Sequence, residues 1–130
     1  MADASYPDDL KYHPEHDWAR IEGEEAVLGI TWYAQDALGE LVHFEAPEAG
    51  ATLTKDQAYA EVESVKAVSD VIAPLSGEVL EVNQKAIAEP ETINEDPYGE
   101  GWLVRIRLSA PAEANSLLDV EAYKAHVAEQ

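Results

Sequence analysis

The chain has 130 residues and a mass of 14.2 kDa, a length that fits one domain spanning residues 1–130 and argues against a two-domain enzyme. Eight Lys and Arg stand against 27 Asp and Glu, a formal net charge of -19, so nucleic acid and anionic membrane surfaces are disfavoured as partners. Cys is absent, which removes disulfides, thiolate nucleophiles, thiolate zinc sites and iron–sulfur clusters together and leaves redox chemistry to an attached group.

With 46% hydrophobic residues and three Trp the composition supports a packed core. No apolar run reaches transmembrane length and the N-terminus is too acidic for a secretory or transit segment, so a cytoplasmic chain of prokaryotic type is expected. The acidity suits solubility, salt adaptation or steering toward basic docking faces.

Residues 1–10 read as a flexible arm within a polar, Pro-interrupted stretch that ends near Pro14. His16-Asp17-Trp18-Ala19-Arg20-Ile21 and Ala26-Val27-Leu28-Gly29-Ile30 alternate around Glu22-Gly23-Glu24-Glu25, which predicts a hairpin. Thr31 is placed to cap a short helix whose apolar face is Ile30, Ala34, Ala37 and Leu38, and Gly39 is placed to end it. Strands follow at residues 41–45, 58–63, 67–72 and 78–83, the last after an Ala73-Pro74-Leu75-Ser76-Gly77 turn. A long turn-rich loop over residues 94–101 leads into Trp102-Leu103-Val104-Arg105-Ile106-Arg107-Leu108, the cleanest period-2 strand, with its Arg pair facing outward. Val120, Tyr123 and Val127 share a helical face behind an Asp119 cap, so a closing helix is expected over about residues 116–130. Many short strands between Gly and Pro turns argue for a mainly β sandwich or barrel.

Few residues stand out chemically. His13 and His16 flank Pro14-Glu15 with no second ligand pair, so they read as surface histidines rather than metal ligands, and His43 reads as structural. No nucleophile elbow, Walker A loop or dinucleotide fingerprint is present. With 27 acids in the chain, the nearness of two carboxylates carries little information, which leaves a carboxylate-pair hydrolase without a nominated pair. Lys66 differs: it sits between two strand-like runs at the tip of a tight turn in a chain poor in cations. Such an amine is reachable from many directions, whereas a Schiff-base lysine needs an apolar pocket to lower its pKa. Composition alone leaves open an ordinary surface lysine or a covalent attachment point.

Glu63-Ser64-Val65-Lys66-Ala67 resembles the lipoylation motif of the H proteins of the glycine cleavage system. Gly29-Ile30-Thr31, Tyr33-Ala34-Gln35, Leu38-Gly39-Glu40, Ser76-Gly77-Glu78-Val79 and Asn94-Glu95-Asp96-Pro97-Tyr98-Gly99-Glu100-Gly101-Trp102 fall in that family's order and spacing, a likeness running over residues 11–127. Biotinyl carriers usually place Met on both sides of the modified Lys, and Val65 and Ala67 flank Lys66 here. The resemblance implies a lipoyl-type barrel-sandwich hybrid with a short internal helix and a C-terminal helix. It also implies lipoate in amide linkage on Lys66, attached by a lipoylating enzyme. The arm would receive the aminomethyl group of glycine from a pyridoxal-phosphate glycine decarboxylase and deliver it to a tetrahydrofolate-dependent aminomethyltransferase. Dihydrolipoyl dehydrogenase would then reoxidise the dithiol. The chain would be a monomeric carrier, not an enzyme; a lipoate-relay or adaptor protein of the same fold is the alternative.

In that family the loaded arm is held against the protein by polar residues whose positions match Glu15, Asp17 and Asp70 here. A carboxylate beside a cationic amine replaces lost water with a charge-assisted hydrogen bond. Glu15 departs from the small hydroxyl residue common at its position, and Trp32 stands where Asp is common and is expected to be partly buried. Asp56 and Ala60 stand where Gly is usual, and the turn at Asp56 needs the left-handed tolerance that Asp has.

Overall fold

The alternating pattern folds into nine strands and four helices in a computed structural model that describes residues 6–129. One antiparallel sheet contains β1 (Lys11–His13), β2 (Asp17–Glu22), β3 (Glu25–Ile30), β9 (Val104–Leu108), β8 (Gly77–Val82) and β5 (Thr52–Leu53), in that spatial order. A second contains β4 (Leu41–Glu45), β6 (Ala58–Ser64) and β7 (Val68–Ile72), with β6 central. The fold is mainly β with short helices, as the resemblance implied.

The expected hairpin forms between β2 and β3, with Asp17 opposite Ile30 and Glu22 opposite Glu25. Helix α1 (Trp32–Leu38) is capped by Thr31 Oγ, which accepts from the Ala34 N–H at 3.3 Å. It ends at Gly39, whose φ of 86° is a conformation that favours glycine. The core lies between the sheets, where Leu28, Ile30, Leu41, Phe44, Val62, Val71, Val79 and Ile106 are buried. Each such side chain contributes about 1.5–3 kcal/mol when fully buried. A second cluster joins Tyr12, Trp18, Val27 and Tyr123 beneath helix α4 (Val120–Ala128), which Asp119 caps. At Gly29 and Gly77 a neighbour comes close enough to demand glycine. A Cβ on Gly29 would come within 2.6 Å of the Trp18 indole, and one on Gly77 would strike the Arg107 carbonyl oxygen.

Several expected boundaries move. Of the expected flexible arm, residues 1–5 lie outside the described residues, but Leu10 is buried and Tyr6 packs edge-on against Tyr123 at 5.3 Å. Aromatic burial therefore anchors the near end of that segment. Strand β1 forms just after it, inside the Pro-interrupted stretch, because it pairs with β2. The closing helix starts at Val120 rather than near residue 116, because a 3₁₀ segment, Pro111–Ser116, comes first. Two five-residue helices, α2 (Gln84–Ala88) and α3 (Glu91–Glu95), lie between β8 and the end of the turn-rich loop where no helix was expected, being too short to show helical periodicity. Strand β9 begins at Val104 rather than Trp102.

Candidate functional site

The hairpin of β6 and β7 carries Lys66 at its tip. Glu63 pairs with Val68, and the Ser64 N–H donates to the Ala67 carbonyl at 2.8 Å to close a four-residue turn. Ser64 is 4% exposed and points inward, where its Oγ accepts from the N–H groups of Ala67 at 3.1 Å and Lys66 at 3.3 Å. With the backbone donors satisfied from within, Val65 and Lys66 are turned outward, Val65 to 80% exposure. The Lys66 amine has no ion pair or hydrogen bond among the described residues.

The lysine stem lies across the end of α1. A Cβ added at Gly39 would sit 3.5 Å from Lys66 Cε and 3.9 Å from Nζ, so Gly39 forms the bed on which the side chain rests. The ammonium there meets the negative end of the helix dipole, which a one-turn-distant cation would not. Asn94 on α3 holds the bed: its amide donates to the Gly39 carbonyl at 2.9 Å and to Gln35 at 3.0 Å, while its oxygen accepts from the Leu41 N–H at 2.8 Å. Gly39 and Asn94 appear in the sequence as motif members, but their service to Lys66 is visible only when α1, α3 and the hairpin are assembled.

The acidic candidates separate by exposure. Asp17 opens β2, is 2% exposed, and its Oδ2 is sealed with no hydrogen-bond partner. Burial pushes its pKa well above the usual carboxylate range, the Glu15 charge adds to this, and a hydrogen bond from the Ile72 backbone N–H works against it. Glu15 is exposed yet close enough to be felt by Asp17. Asp70 is exposed on β7, opposite Glu61 and two residues from Ile72 toward the tip. The fold thus brings Glu15, Asp17 and β7 together, and among the described residues no hydrogen bond joins Asp70 to Asp17.

His13 corrects an expectation, for it is buried rather than a surface histidine, at 7% exposure. Its Nδ1 accepts from the Glu15 N–H at 3.0 Å, which leaves the proton on Nε2 for donation to Asp56 Oδ1 at 2.7 Å. Asp56 takes φ of 73°, and the bonds from His13 and then Lys55 hold its carboxyl below the usual range. The turn survives without Gly because Asp tolerates the left-handed region and is clamped there. His16 also has a positive φ, 75°, and is half-buried with its ring 4.4 Å from Tyr33 and its Nδ1 2.8 Å from the Tyr123 hydroxyl. His43 is exposed beside Glu63, Trp32 is half-buried as expected, and Ala60 is half-buried on β6. Among the described residues no group of three His, Cys, Asp or Glu could hold a metal. No helix among them is long and apolar enough to cross a membrane.

Comparison with known proteins follows the same lines. A family model described as Glycine cleavage H-protein matches residues 10–130. A Glycine cleavage system H protein of Symbiobacterium thermophilum is 52% identical over 126 residues, covering 97% of this chain and 98% of that protein. One of Anaeromyxobacter sp. (strain K) is 50% identical over 124 residues, covering 95% and 97%. The crystal structure of a glycine cleavage system H protein from Mycobacterium marinum superimposes with a TM-score of 0.88 at 40% identity, covering 95% of this chain and 99% of that one.

Proposed function

The chain belongs to the glycine cleavage H-protein family, the carrier subunits of that system, and from this premise we propose that Lys66 is the residue that bears the lipoyl group. The observation that carries the reading is the Lys66 amine: exposed at a hairpin tip, free of partners among the described residues, and rested on Gly39. These residues fit an attached arm, because amidation there breaks no ion pair and the tip is held by Ser64 whether or not the lysine is charged. When bound, the lipoyl dithiolane supplies the redox sulfur that the Cys-free chain lacks.

The protein's own part is placement. Ser64 fixes the direction in which the lysine leaves the hairpin, and Glu63, Val65 and Ala67 form the exposed neighbourhood that a lipoylating enzyme would read. Glu15, Asp17 and Asp70 receive the cationic end of a loaded arm, with Glu15 and Asp70 in solvent and Asp17 behind them. Glycine decarboxylase, the aminomethyltransferase and dihydrolipoyl dehydrogenase would be met in turn, in the cytoplasm.

Intact mass tests this. Purified protein treated with lipoate, ATP and a lipoylating enzyme gains one lipoyl mass, and Lys66→Ala gains none while keeping its circular dichroism spectrum. A Lys66→Ala protein that still acquired the mass would overturn the assignment. Incubation of the lipoylated protein with glycine and glycine decarboxylase then adds the aminomethyl mass; a lipoate relay would stay unloaded.

A further inference from the structure

The foot of the hairpin that carries Lys66 is tied by a side-chain bond to the turn that carries Glu15. At the foot, just beyond the ends of β6 and β7, the Asp56 N–H donates to the Ala73 carbonyl at 2.8 Å and the Ala73 N–H donates to the Gln57 carbonyl at 2.9 Å. In the turn between β1 and β2, the His16 N–H donates to the His13 carbonyl at 2.9 Å and the Glu15 N–H donates to His13 Nδ1 at 3.0 Å. His13 Nε2 then crosses to Asp56 Oδ1 at 2.7 Å, from the edge of the six-stranded sheet to the foot of the three-stranded one. The non-glycine residues with positive φ among the described residues are His16 and Asp56, at 75° and 73°, one in each of the two turns that His13 joins. Such conformations persist where the surroundings hold them. A buried imidazole with both nitrogens engaged keeps one tautomer and one orientation, so it carries position from Asp56 to Glu15.

We propose that His13, clasped to Asp56, is a positioning residue that sets the distance between the hairpin from which the loaded arm leaves and the turn whose carboxylates meet the arm's far end. This inference rests on the arm-contact reading of Glu15 and Asp17 given above. Asp17 stands opposite His13 on β2, and Ile72, which donates to its carboxyl, precedes the Ala73 that holds Asp56. His13, Asp56, the end of β7 and Asp17 thus close a ring between the two sheets. The arm has a fixed length, so a shift of about 1 Å between Lys66 and the turn takes the contact out of hydrogen-bond reach. With Gly at position 56 the left-handed turn forms without a clasp, so the Asp at this position adds a link that the backbone itself does not require.

The test compares lipoylated protein, loaded with the aminomethyl group, in wild-type, His13→Phe, Asp56→Gly, doubly substituted and Asp17→Asn forms. Cargo that loses its contact is hydrolysed: water breaks the S–CH₂ bond and the CH₂–N bond, giving the thiol, formaldehyde and ammonium. Asp56→Gly, which keeps the turn, is expected to shorten the loaded lifetime roughly fivefold, the ratio that one hydrogen bond of ordinary net strength is worth. The double variant should be no shorter-lived than His13→Phe, because both substitutions cut the same bond. Lys55→Ala, which removes the other partner of Asp56 at 3.2 Å, should leave the lifetime at the wild-type value. A further readout needs no cargo: in unmodified Asp56→Gly the Glu15 amide should exchange faster with solvent, although Asp56 does not touch it. A wild-type lifetime in Asp56→Gly, effects that multiply in the double variant, a loss in Lys55→Ala equal to that in Asp56→Gly, or an unchanged Glu15 amide each overturns the inference. If Asp17→Asn shortens the lifetime and Asp56→Gly does not, the clasp falls while the arm contact stands. If Asp17→Asn leaves the lifetime unchanged, the arm contact at Asp17 falls and the inference with it.

Discussion

Across β3, β9 and β8, Glu25, Arg107 and Glu78 stand directly opposite one another, whereas across β4, β6 and β7 the corresponding row is Glu45, Glu61 and Asp70. The first row alternates in sign, with Arg107 and Glu78 3.5 Å apart. One position along, Arg105 reaches Glu22 at 3.1 Å, Glu25 at 3.5 Å and Glu81 at 3.7 Å. The second row is three exposed carboxylates, and its strands contain no Lys or Arg. Like charges directly opposite in a sheet are destabilising, so the Lys66-bearing sheet keeps a repulsion that the larger sheet has compensated. The surplus of acid is therefore unevenly placed. The scaffold sheet spends two of the chain's eight Lys and Arg on its own stability, and the sheet that presents Lys66 leaves its negative field open to solvent.

The comparison can be broken from either side. The largest effect should come from the scaffold sheet, where Gly77→Ala drives a methyl into the Arg107 carbonyl at the junction of β8 and β9. A loss of about 3 kcal/mol is expected in urea unfolding, at the upper end for overpacking a tight site. Arg105→Ala should cost about 1 kcal/mol, since its three partners form a network but remain partly exposed. That loss should shrink in high salt, and a cost that salt leaves unchanged would show packing rather than charge at work. Smallest, and opposite in sign, Glu61→Lys should raise stability by about 0.5 kcal/mol by converting the second row to alternating charge. The same variant should slow association with basic-faced partners at low salt. If Glu61→Lys is neutral in unfolding, the row carries no repulsion worth counting and the contrast between the sheets is only one of appearance.

Much of the fold is legible along the chain. Thr31 and Asp119 announce their helices because capping is a local hydrogen bond between near neighbours. The β2–β3 hairpin and the strand over Arg105 and Arg107 show in the period-2 pattern. Helices α2 and α3 do not, for five residues hold barely one turn. His13 reads as a surface residue since nothing local ties it to Asp56, its partner from another turn. The candidate site divides in the same manner. Lys66 is readable because the Ser64 turn that presents it is closed by bonds between adjacent residues.

Residue order alone thus settles the family motif, the turn that lifts Lys66 into solvent, the helix caps and the absence of cysteine, all of which depend on neighbours in the chain or on composition. It cannot show that Gly39 underlies the lysine, that Asn94 braces it, or that Tyr59 and Asp17 each bury an oxygen without a partner. Those relations join strands and helices remote in sequence, and burial, which gives each of them its energetic weight, exists only after the two sheets have closed over the core.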